Sequence, residues 1–198
     1  MGTTFTTITD HVRDFIAAQK MFFVATAPLS ADGHVNLSPK GLDCFRILGP
    51  SRVGYLDYNG SGIETVAHVR ENGRLTIMFC AFDGKPNILR LHGRGGVIEP
   101  IDAEFSEVIQ TFSPVMLVRS IIVLDVTRIA DSCGFGVPFF EYRGERDQLV
   151  VSSNRKGEEG LREYQRKNNA VSVDGLPGLR SVENNMTDAG HASREGPH

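Results

Sequence analysis

The fold of this chain is decided by the stretch FFVATAPLSADGHVNLSPK, residues 22–40. It begins with a run of β-prone residues and continues through an Asp-Gly pair, a combination that favours tight hairpin turns. Beyond the turn, Val35 and Leu37 alternate with polar neighbours. This alternation is typical of a half-buried strand whose apolar residues face the core. The stretch therefore predicts two antiparallel strands.

Short β-prone runs joined by glycine-containing turns continue along the chain. The regular alternation of strands and helices that marks a parallel sheet is missing, so the sequence predicts a mainly β (α+β) fold built on an antiparallel barrel. Glycines within residues 93–96 indicate a bulge or a bend at a barrel corner. Further strands are predicted over residues 53–58, 75–82, 88–98, 115–129 and 148–151, and helices from Thr9, over 62–70, from Asp102 and over 158–167.

Size and composition exclude several classes of protein. A chain of 198 residues predicts one domain, which we assign to residues 1–179, followed by a polar and flexible tail over 180–198. The formal charge of −3 argues against a nucleic-acid binder, and three cysteines without a close pair argue against a disulfide framework. No membrane helix and no signal peptide are predicted, so we expect a cytoplasmic protein.

The candidate functional segment is DYNGSGIET, residues 57–65, where a predicted strand passes through two glycines into a predicted helix. Unpaired backbone N–H groups and the helix dipole make such a junction suitable for a phosphate. The alternative is a purely structural role, in which Ser61 and Glu64 form a capping box and the glycines only make the turn. The candidate ligand-binding residues are Tyr58, Asn59, Gly60, Ser61, Gly62 and Thr65.

Basic residues elsewhere supply further candidates. Lys40 follows the hairpin and would offer a cation to a phosphate if the fold brings it near Ser61, although a lone lysine is more often a solvated surface charge. Arg90, His92 and Arg94 alternate on one predicted strand and share a face. That face is either solvent-exposed or a contact for anions or a second subunit.

Other chemical motifs are weak. The six histidines show no metal-ligand spacing, and no nucleophile elbow or nucleotide-binding glycine loop is present. Cys133, beside the Gly- and Phe-rich loop that runs to Phe140, is either a reactive thiol or a buried inert one. Hydrolase, kinase and dinucleotide-binding functions thus lack support.

The order of these blocks resembles the flavin-binding split barrels typified by pyridoxamine 5'-phosphate oxidase, over residues 8–129. The resemblance is carried by residues 23–26, 32–35, 40–43 and 58–65 and by the helix and strand that follow. It implies a six-stranded antiparallel split β-barrel with peripheral helices. It also implies a homodimer with two FMN sites at the subunit interface. Lys40 matches the family lysine that reaches the FMN phosphate, and Ser61 matches the serine of its phosphate loop.

The sequence departs from that family at the phosphate loop. Gly62 and Ile63 stand where the oxidase has Arg and Lys, and Val35 replaces an arginine of the strand motif. Arg94 is a candidate to compensate for these losses. The chain has no Trp and lacks the family's terminal Arg/Trp substrate motif. These differences argue against oxidation of pyridoxamine 5'-phosphate and favour an FMN-dependent oxidoreductase acting on another small molecule.

Two alternatives remain open from the sequence. One is a non-catalytic flavin- or haem-binding protein on the same barrel, with His92 or a histidine of the tail as a haem ligand. The other is a reductase that uses the deazaflavin F420 in place of FMN.

Overall fold

A computed structural model describes residues 2–113 and 118–182. The strands are β1 (Thr4–Phe5), β2 (Phe22–Thr26), β3 (Asn36–Lys40), β4 (Phe45–Gly49), β5 (Arg52–Tyr58), β6 (Arg74–Cys80), β7 (Ile88–Ile98) and β8 (Val118–Ser132). The helices are α1 (Asp10–Ala18), α2 (Glu64–Asn72), α3 (Phe105–Val108) with a 3-10 turn (Ile109–Thr111), and α4 (Gln148–Asn168). No helix within these described ranges is long and apolar enough to cross a membrane.

The strands form one antiparallel sheet in the order β3-β2-β6-β7-β8-β5-β4, with β1 paired to β8. The two ends of this order curl towards each other, since Lys40 on β3 lies 3.5 Å from Asp57 on β5. The predicted α+β class with an antiparallel split barrel is confirmed. The described residues contain eight strands rather than the six that the resemblance implies, because Thr4–Phe5 and Phe45–Gly49 carried no alternating pattern that would have revealed them.

The core lies inside the curled sheet, and α2 packs against β2, β6 and β7. Four aromatic rings fill it near the open end, from Phe22, Phe45, Tyr55 and Phe79, with ring centroids 5.2–5.5 Å apart. Edge-to-face contacts at such distances add to the stability that burial alone supplies. The sheet thus has a rigid interior next to the ends of β3 and β5.

The prediction that Val35 and Leu37 face the core is wrong. Val35 and Leu37 are 75% and 63% exposed, whereas Asn36 and Ser38 point towards the protein. The reason is the neighbouring helix: Asn36 donates hydrogen bonds to Thr26 (3.2 Å) and to Thr65 of α2 (3.0 Å). Buried polar partners therefore decide the orientation of this edge strand, and its apolar residues face outward.

The predicted capping box is also wrong. The helix α2 begins at Glu64 with Ile63 at the N-cap position, and no side chain caps it. The loop at residues 59–63 is irregular, so the spacing of Ser61 and Glu64 does not place them on one helical turn. By contrast, Thr9 caps α1 as predicted, accepting a hydrogen bond from the Val12 N–H at 3.4 Å.

Two predicted elements in the rest of the chain need correction. The helix expected from Asp102 is present but begins at Phe105 and is short, running through α3 into the 3-10 turn Ile109–Thr111. Asp102 does not cap it, because its carboxylate accepts from the Glu99 N–H. Residues 148–151 belong to α4 rather than to a strand, since a three-residue apolar run cannot distinguish the two. The predicted helix over 158–167 is confirmed as the second half of α4, beyond a break at Gly157.

The long strand β7 bends where predicted. Its pairing with β8 shifts register between His92 and Gly93. A Cβ atom on Gly93 would lie 2.0 Å from the Asp125 carbonyl oxygen, so only glycine fits there.

The start of the predicted tail is packed. Val182 is buried and the Arg180 guanidinium pairs with the buried carboxylate of Glu99. The boundary after residue 179 and the flexibility of the tail stay predictions, since residues 183–198 lie outside the described residues. So do residues 114–117, which include the start of the strand predicted over 115–129.

Candidate functional site

A cavity of about 280 Å³ lies where β3, the end of β5 and the start of α2 meet; we call it the cradle. Its position follows from the curl of the sheet, which brings the edge strand β3 next to the loop that joins β5 to α2. Its lining combines two cations, hydroxyls and glycine backbone. The lining residues are Asn36, Ser38, Pro39, Lys40, Tyr58, Gly60, Gly62, Glu64, Thr65 and Arg119.

The floor of the cradle is a buried ion cluster around Asp57. The Arg119 guanidinium donates to both Asp57 carboxylate oxygens, at 2.7 and 3.3 Å, and to the Gly60 carbonyl at 2.9 Å. Ser120 donates to the same carboxylate at 3.1 Å. Arg119 therefore neutralises Asp57 and fixes the loop at the same time. The Lys40 ammonium lies 3.5 Å from the same carboxylate, so the cluster of Asp57, Arg119 and Lys40 carries a net charge of +1.

Asp57 stays ionised in this cluster. Complete burial, the largest effect, raises its pKa, but the charges of Arg119 and Lys40 and hydrogen bonds from Arg119 and Ser120 outweigh it. The net result is a pKa below the ordinary value of an aspartate. The ionised group thus stabilises the fold above the pKa of the unfolded chain, and this contribution is lost as pH falls through the folded pKa.

The N-terminus of α2 faces the cradle without a capping side chain. Its first backbone N–H groups and the positive end of the helix dipole are therefore open to a ligand. Ser61 is exposed at the rim and forms no hydrogen bond with the described part of the chain, while Thr65 places its hydroxyl in the lining. The Glu64 carboxylate also lines the cradle: its Oε2 atom lies beside Gly62, and its Oε1 atom accepts from the Val173 N–H at 3.3 Å.

A second cavity of about 680 Å³ continues from the cradle; we call it the side cavity. The two share Pro39, Lys40, Tyr58 and Gly60. Burial raises the pKa of Tyr58 to about 12, so its phenol keeps its proton and can donate a hydrogen bond. Burial likewise raises the pKa of Cys44 to about 12, so the thiol on this wall is not a nucleophile.

Residues beyond the barrel hold the cradle loop in place. The Gln165 side chain donates to Asn59 at 2.6 Å, and the Asn169 side chain donates to the Gly60 carbonyl at 2.9 Å. Nearer the side cavity, the Leu42 N–H donates to the Glu145 carboxylate at 3.2 Å. Leu42 has a positive φ of 65°, so a carboxylate from the C-terminal region anchors a backbone conformation that is uncommon for leucine.

Most of the predicted ligand residues come together here. Lys40, Tyr58, Gly60, Gly62 and Thr65 line the cradle, Asn59 lines the side cavity and Ser61 lies at the rim. Arg94 is not brought to them in this protomer. Its side chain lies against Gly73, at the opposite end of α2.

Sequence reasoning missed Arg119. The signal was present, because Arg119-Ser120 is the polar interruption in an otherwise apolar run that forms β8. A buried arginine in a strand needs an acidic partner, but the partner Asp57 lies 62 residues earlier and only the fold shows it.

The other candidates lie elsewhere. Arg90 and His92 share the outer face of β7, where Arg90 donates to Ser132 and the His92 ring bonds Thr76 at 3.1 Å. Burial and the nearby Arg128 and Arg90 lower the pKa of His92. Cys133 is exposed. Within the described ranges no group of three or more His, Cys, Asp or Glu side chains could hold a metal ion.

Comparison with known proteins identifies relatives of this chain. Residues 8–133 match the family model described as pyridoxamine 5'-phosphate oxidase. The pyridoxamine 5'-phosphate oxidase family protein ustO of Aspergillus flavus is 41% identical over 202 residues, covering 92% of this chain and 79% of ustO.

Solved structures share the fold at lower identity. HupZ of Group A Streptococcus is 22% identical with a TM-score of 0.50, over 63% of this chain and 99% of HupZ. A putative pyridoxamine 5'-phosphate oxidase of Lactobacillus delbrueckii is 16% identical with a TM-score of 0.49, over 63% of this chain and 94% of that one.

The ion cluster around Asp57 predicts that the free energy of unfolding depends on Arg119. Replacing Arg119 with Met leaves the Asp57 carboxylate buried with Lys40 as its remaining cation. We expect the free energy of unfolding to fall by about 3–5 kcal/mol at neutral pH, because a buried charge loses its partner. The loss shrinks at acidic pH, where Asp57 is protonated. Urea unfolding at both pH values measures the difference.

The matched control is Arg128→Met, which removes an exposed arginine from the same strand. It is expected to change the free energy of unfolding by less than about 0.5 kcal/mol. Equal effects of the two substitutions, or an Arg119→Met effect independent of pH, would contradict the cluster's role.

Proposed function

The chain belongs to the pyridoxamine 5'-phosphate oxidase family, and on that basis we propose that it is an FMN-binding oxidoreductase acting on a small molecule other than pyridoxamine 5'-phosphate. The observation that carries the proposal is the pairing of an uncapped helix N-terminus with Lys40, which lies 3.5 Å from a carboxylate that Arg119 already holds. Together they form a site for an anionic group at the position where the family resemblance implies the FMN phosphate.

The donors present fit that phosphate. Lys40 brings the cluster of Asp57, Arg119 and Lys40 to a net charge of +1, and Thr65 supplies a hydroxyl in the lining. Ser61 lies between the lining residues Gly60 and Gly62, and Glu64 is the carboxylate of the lining. Charge-assisted hydrogen bonds of this kind are the strong ones in proteins. The side chains that the family places at positions 62 and 63 are replaced by Gly62 and Ile63, so backbone N–H groups carry a larger share of the binding here. A Cβ on Gly62 would lie 2.5 Å from Glu64 Oε2, so a larger residue there would displace the Glu64 carboxylate.

The bound flavin would supply the transfer of a hydride to or from the substrate. The chain's own residues bind and orient it. Lys40 and the N-terminus of α2 hold the phosphate, and Arg119 keeps the Asp57–Gly60 loop in the shape that exposes those N–H groups. Tyr58 retains a proton on its phenol beside the side cavity. The far wall of this cavity is formed by Tyr142, Gly144, Glu145, Arg146, Gln148 and Leu149.

We expect the functional unit to be a homodimer with the flavin sites at the interface. The support is the outward apolar face of β3, where Val35 and Leu37 are exposed directly behind the side chains that line the cradle. Val171 and Val173 extend this surface, because a hydrogen bond of 2.6 Å from His34 to Asp174 joins the two segments. A contiguous apolar surface next to a ligand site is typical of an interface. Cytoplasmic location stays a prediction.

The first test is the identity of the cofactor. Purified protein is expected to show the visible absorption bands of a flavin, or to gain them on titration with FMN. Mass analysis of the released molecule distinguishes FMN from haem and from F420. A colourless protein that takes up no flavin would overturn the proposal. Oxygen uptake with pyridoxamine 5'-phosphate is expected to stay at background even when FMN is bound.

The second prediction concerns Lys40. Replacing it with Met is expected to weaken FMN binding about tenfold or more, because a charge-assisted contact contributes about 1.5–3 kcal/mol. Riboflavin has no phosphate, so its affinity is expected to change little. Quenching of flavin fluorescence measures both constants. Lys85→Met, at an exposed turn away from the cradle, is the control. Equal losses for FMN and riboflavin would exclude Lys40 as a phosphate ligand.

The third prediction concerns assembly. Leu37→Asp places a charge on the outer face of β3 and is expected to convert the dimer into a monomer and to weaken flavin binding with it. Sedimentation velocity reports the mass, and absorbance of the same peak reports the flavin. Ile101→Asp, at an exposed apolar residue in the turn after β7, is expected to leave both unchanged. A Leu37→Asp variant that stays dimeric with full flavin content would show that the interface does not involve the outer face of β3.

A further inference from the structure

A third cavity of about 850 Å³ continues from the side cavity; we call it the aromatic pocket. The two share Lys20, Met21 and Tyr142. The cradle, the side cavity and the aromatic pocket thus follow one another along the protein surface. The aromatic pocket is lined by Ala18, Gln19, Lys20, Met21, Phe82, Asp83, Gly84, Phe139, Phe140, Glu141 and Tyr142.

One wall of the aromatic pocket is built by residues 134–147, which we call the arm. The arm lies outside residues 8–133, the part that matches the family model. Two anchor points hold it. At one, the Phe140 N–H donates to the Phe82 carbonyl at 2.9 Å and the two rings stack with centroids 5.1 Å apart. At the other, the Tyr142 hydroxyl donates to Glu145 at 2.8 Å, and Glu145 in turn accepts from Leu42.

The arm presents aromatic rings that the chain itself does not cover. Phe139, Phe140 and Tyr142 are 77%, 62% and 51% exposed, although the anchors fix the backbone between them. Exposed large apolar groups in a concave and ordered surface are typical of a ligand site. The volume of the aromatic pocket lies within the range of small-molecule sites, about 300–1,000 Å³.

The charges around the rings indicate what kind of molecule fits. Lys20 lies over the Tyr142 ring, with its Nζ atom 5.7 Å from the centroid, and Asp83 and Glu141 add two negative charges. The pocket therefore offers no surplus positive charge to an anion. A ligand there would mainly contact the faces and edges of aromatic rings, and such contacts favour another aromatic ring.

We propose that the aromatic pocket binds the uncharged, planar aromatic part of the substrate, and that Phe140 and Tyr142 of the arm determine this specificity. The proposal rests on the proposed function, since a substrate seated there would reach the flavin through the side cavity. The arm follows the residues that match the family model.

The test uses N-phenyl-1-naphthylamine, an uncharged aromatic probe whose fluorescence rises in apolar sites. Wild-type protein is expected to bind it saturably, one molecule per chain. Phe140→Ala and Tyr142→Ala are each expected to weaken binding about tenfold, through loss of ring contacts and apolar area. Phe140→Leu keeps apolar volume but loses the ring, and is expected to weaken binding as well. Phe135→Ala is the control, because this exposed arm residue lines a different cavity.

FMN uptake by each variant is measured in parallel. Retained FMN uptake with weakened probe binding supports the proposal. Probe binding that depends on Phe140 in a protein that takes up no flavin would refute the proposed function but keep the pocket. Three results would each overturn the proposal that the aromatic pocket binds the substrate. The first is unchanged probe affinity in the Phe140 variants, and the second is displacement of the probe by FMN. The third is conversion of Phe140→Ala to a monomer without any probe binding. The last result would assign the exposed rings to a second copy of the chain.

Discussion

The buried contact between Asp57 and Arg119 is the interaction on which the site depends. It joins the end of β5 to β8. The same guanidinium also donates to the Gly60 carbonyl and so fixes the loop before α2. Since the helix has no side-chain cap, the shape of that loop decides whether its first N–H groups are open to a ligand. Lys40 lies 3.5 Å from the same carboxylate and adds a second cation to the cluster. A single buried carboxylate thus holds both cations of the cradle in place.

Polar groups also explain why β3 has an unusual orientation. Its inward side chains join Thr26, Thr65 and the cradle, so its apolar ones face outward. An edge strand that exposes apolar residues is a hazard for aggregation unless another surface covers it. If the proposed cofactor and dimer interface lie on opposite sides of this five-residue strand, assembly and flavin binding depend on each other.

The sequence predicted the fold class and most of the cradle, because both depend on local signals. Hairpin turns, the glycine loop at residues 57–65 and the β-prone runs each follow from the neighbouring residues. The orientation of Val35 and the role of Arg119 did not, because they depend on partners far along the chain. The capping box failed for a similar reason: Ser61 has the right spacing, but the loop geometry set by Arg119 places it at the rim. Arg94 was a reasonable cation by composition, yet α2 separates it from the cradle in this protomer. The arm lies beyond the residues that carried the resemblance, so its position was open until the fold was known.

A crystal structure of the protein grown with FMN tests the central claim most directly. The account predicts the phosphate at the N-terminus of α2, in contact with Lys40 and Ser61, with the ring system extending into the side cavity past Tyr58. Arg119 would still be paired with Asp57. A flavin bound with its phosphate away from the cradle, or an empty cradle in crystals that contain FMN elsewhere, would contradict the account.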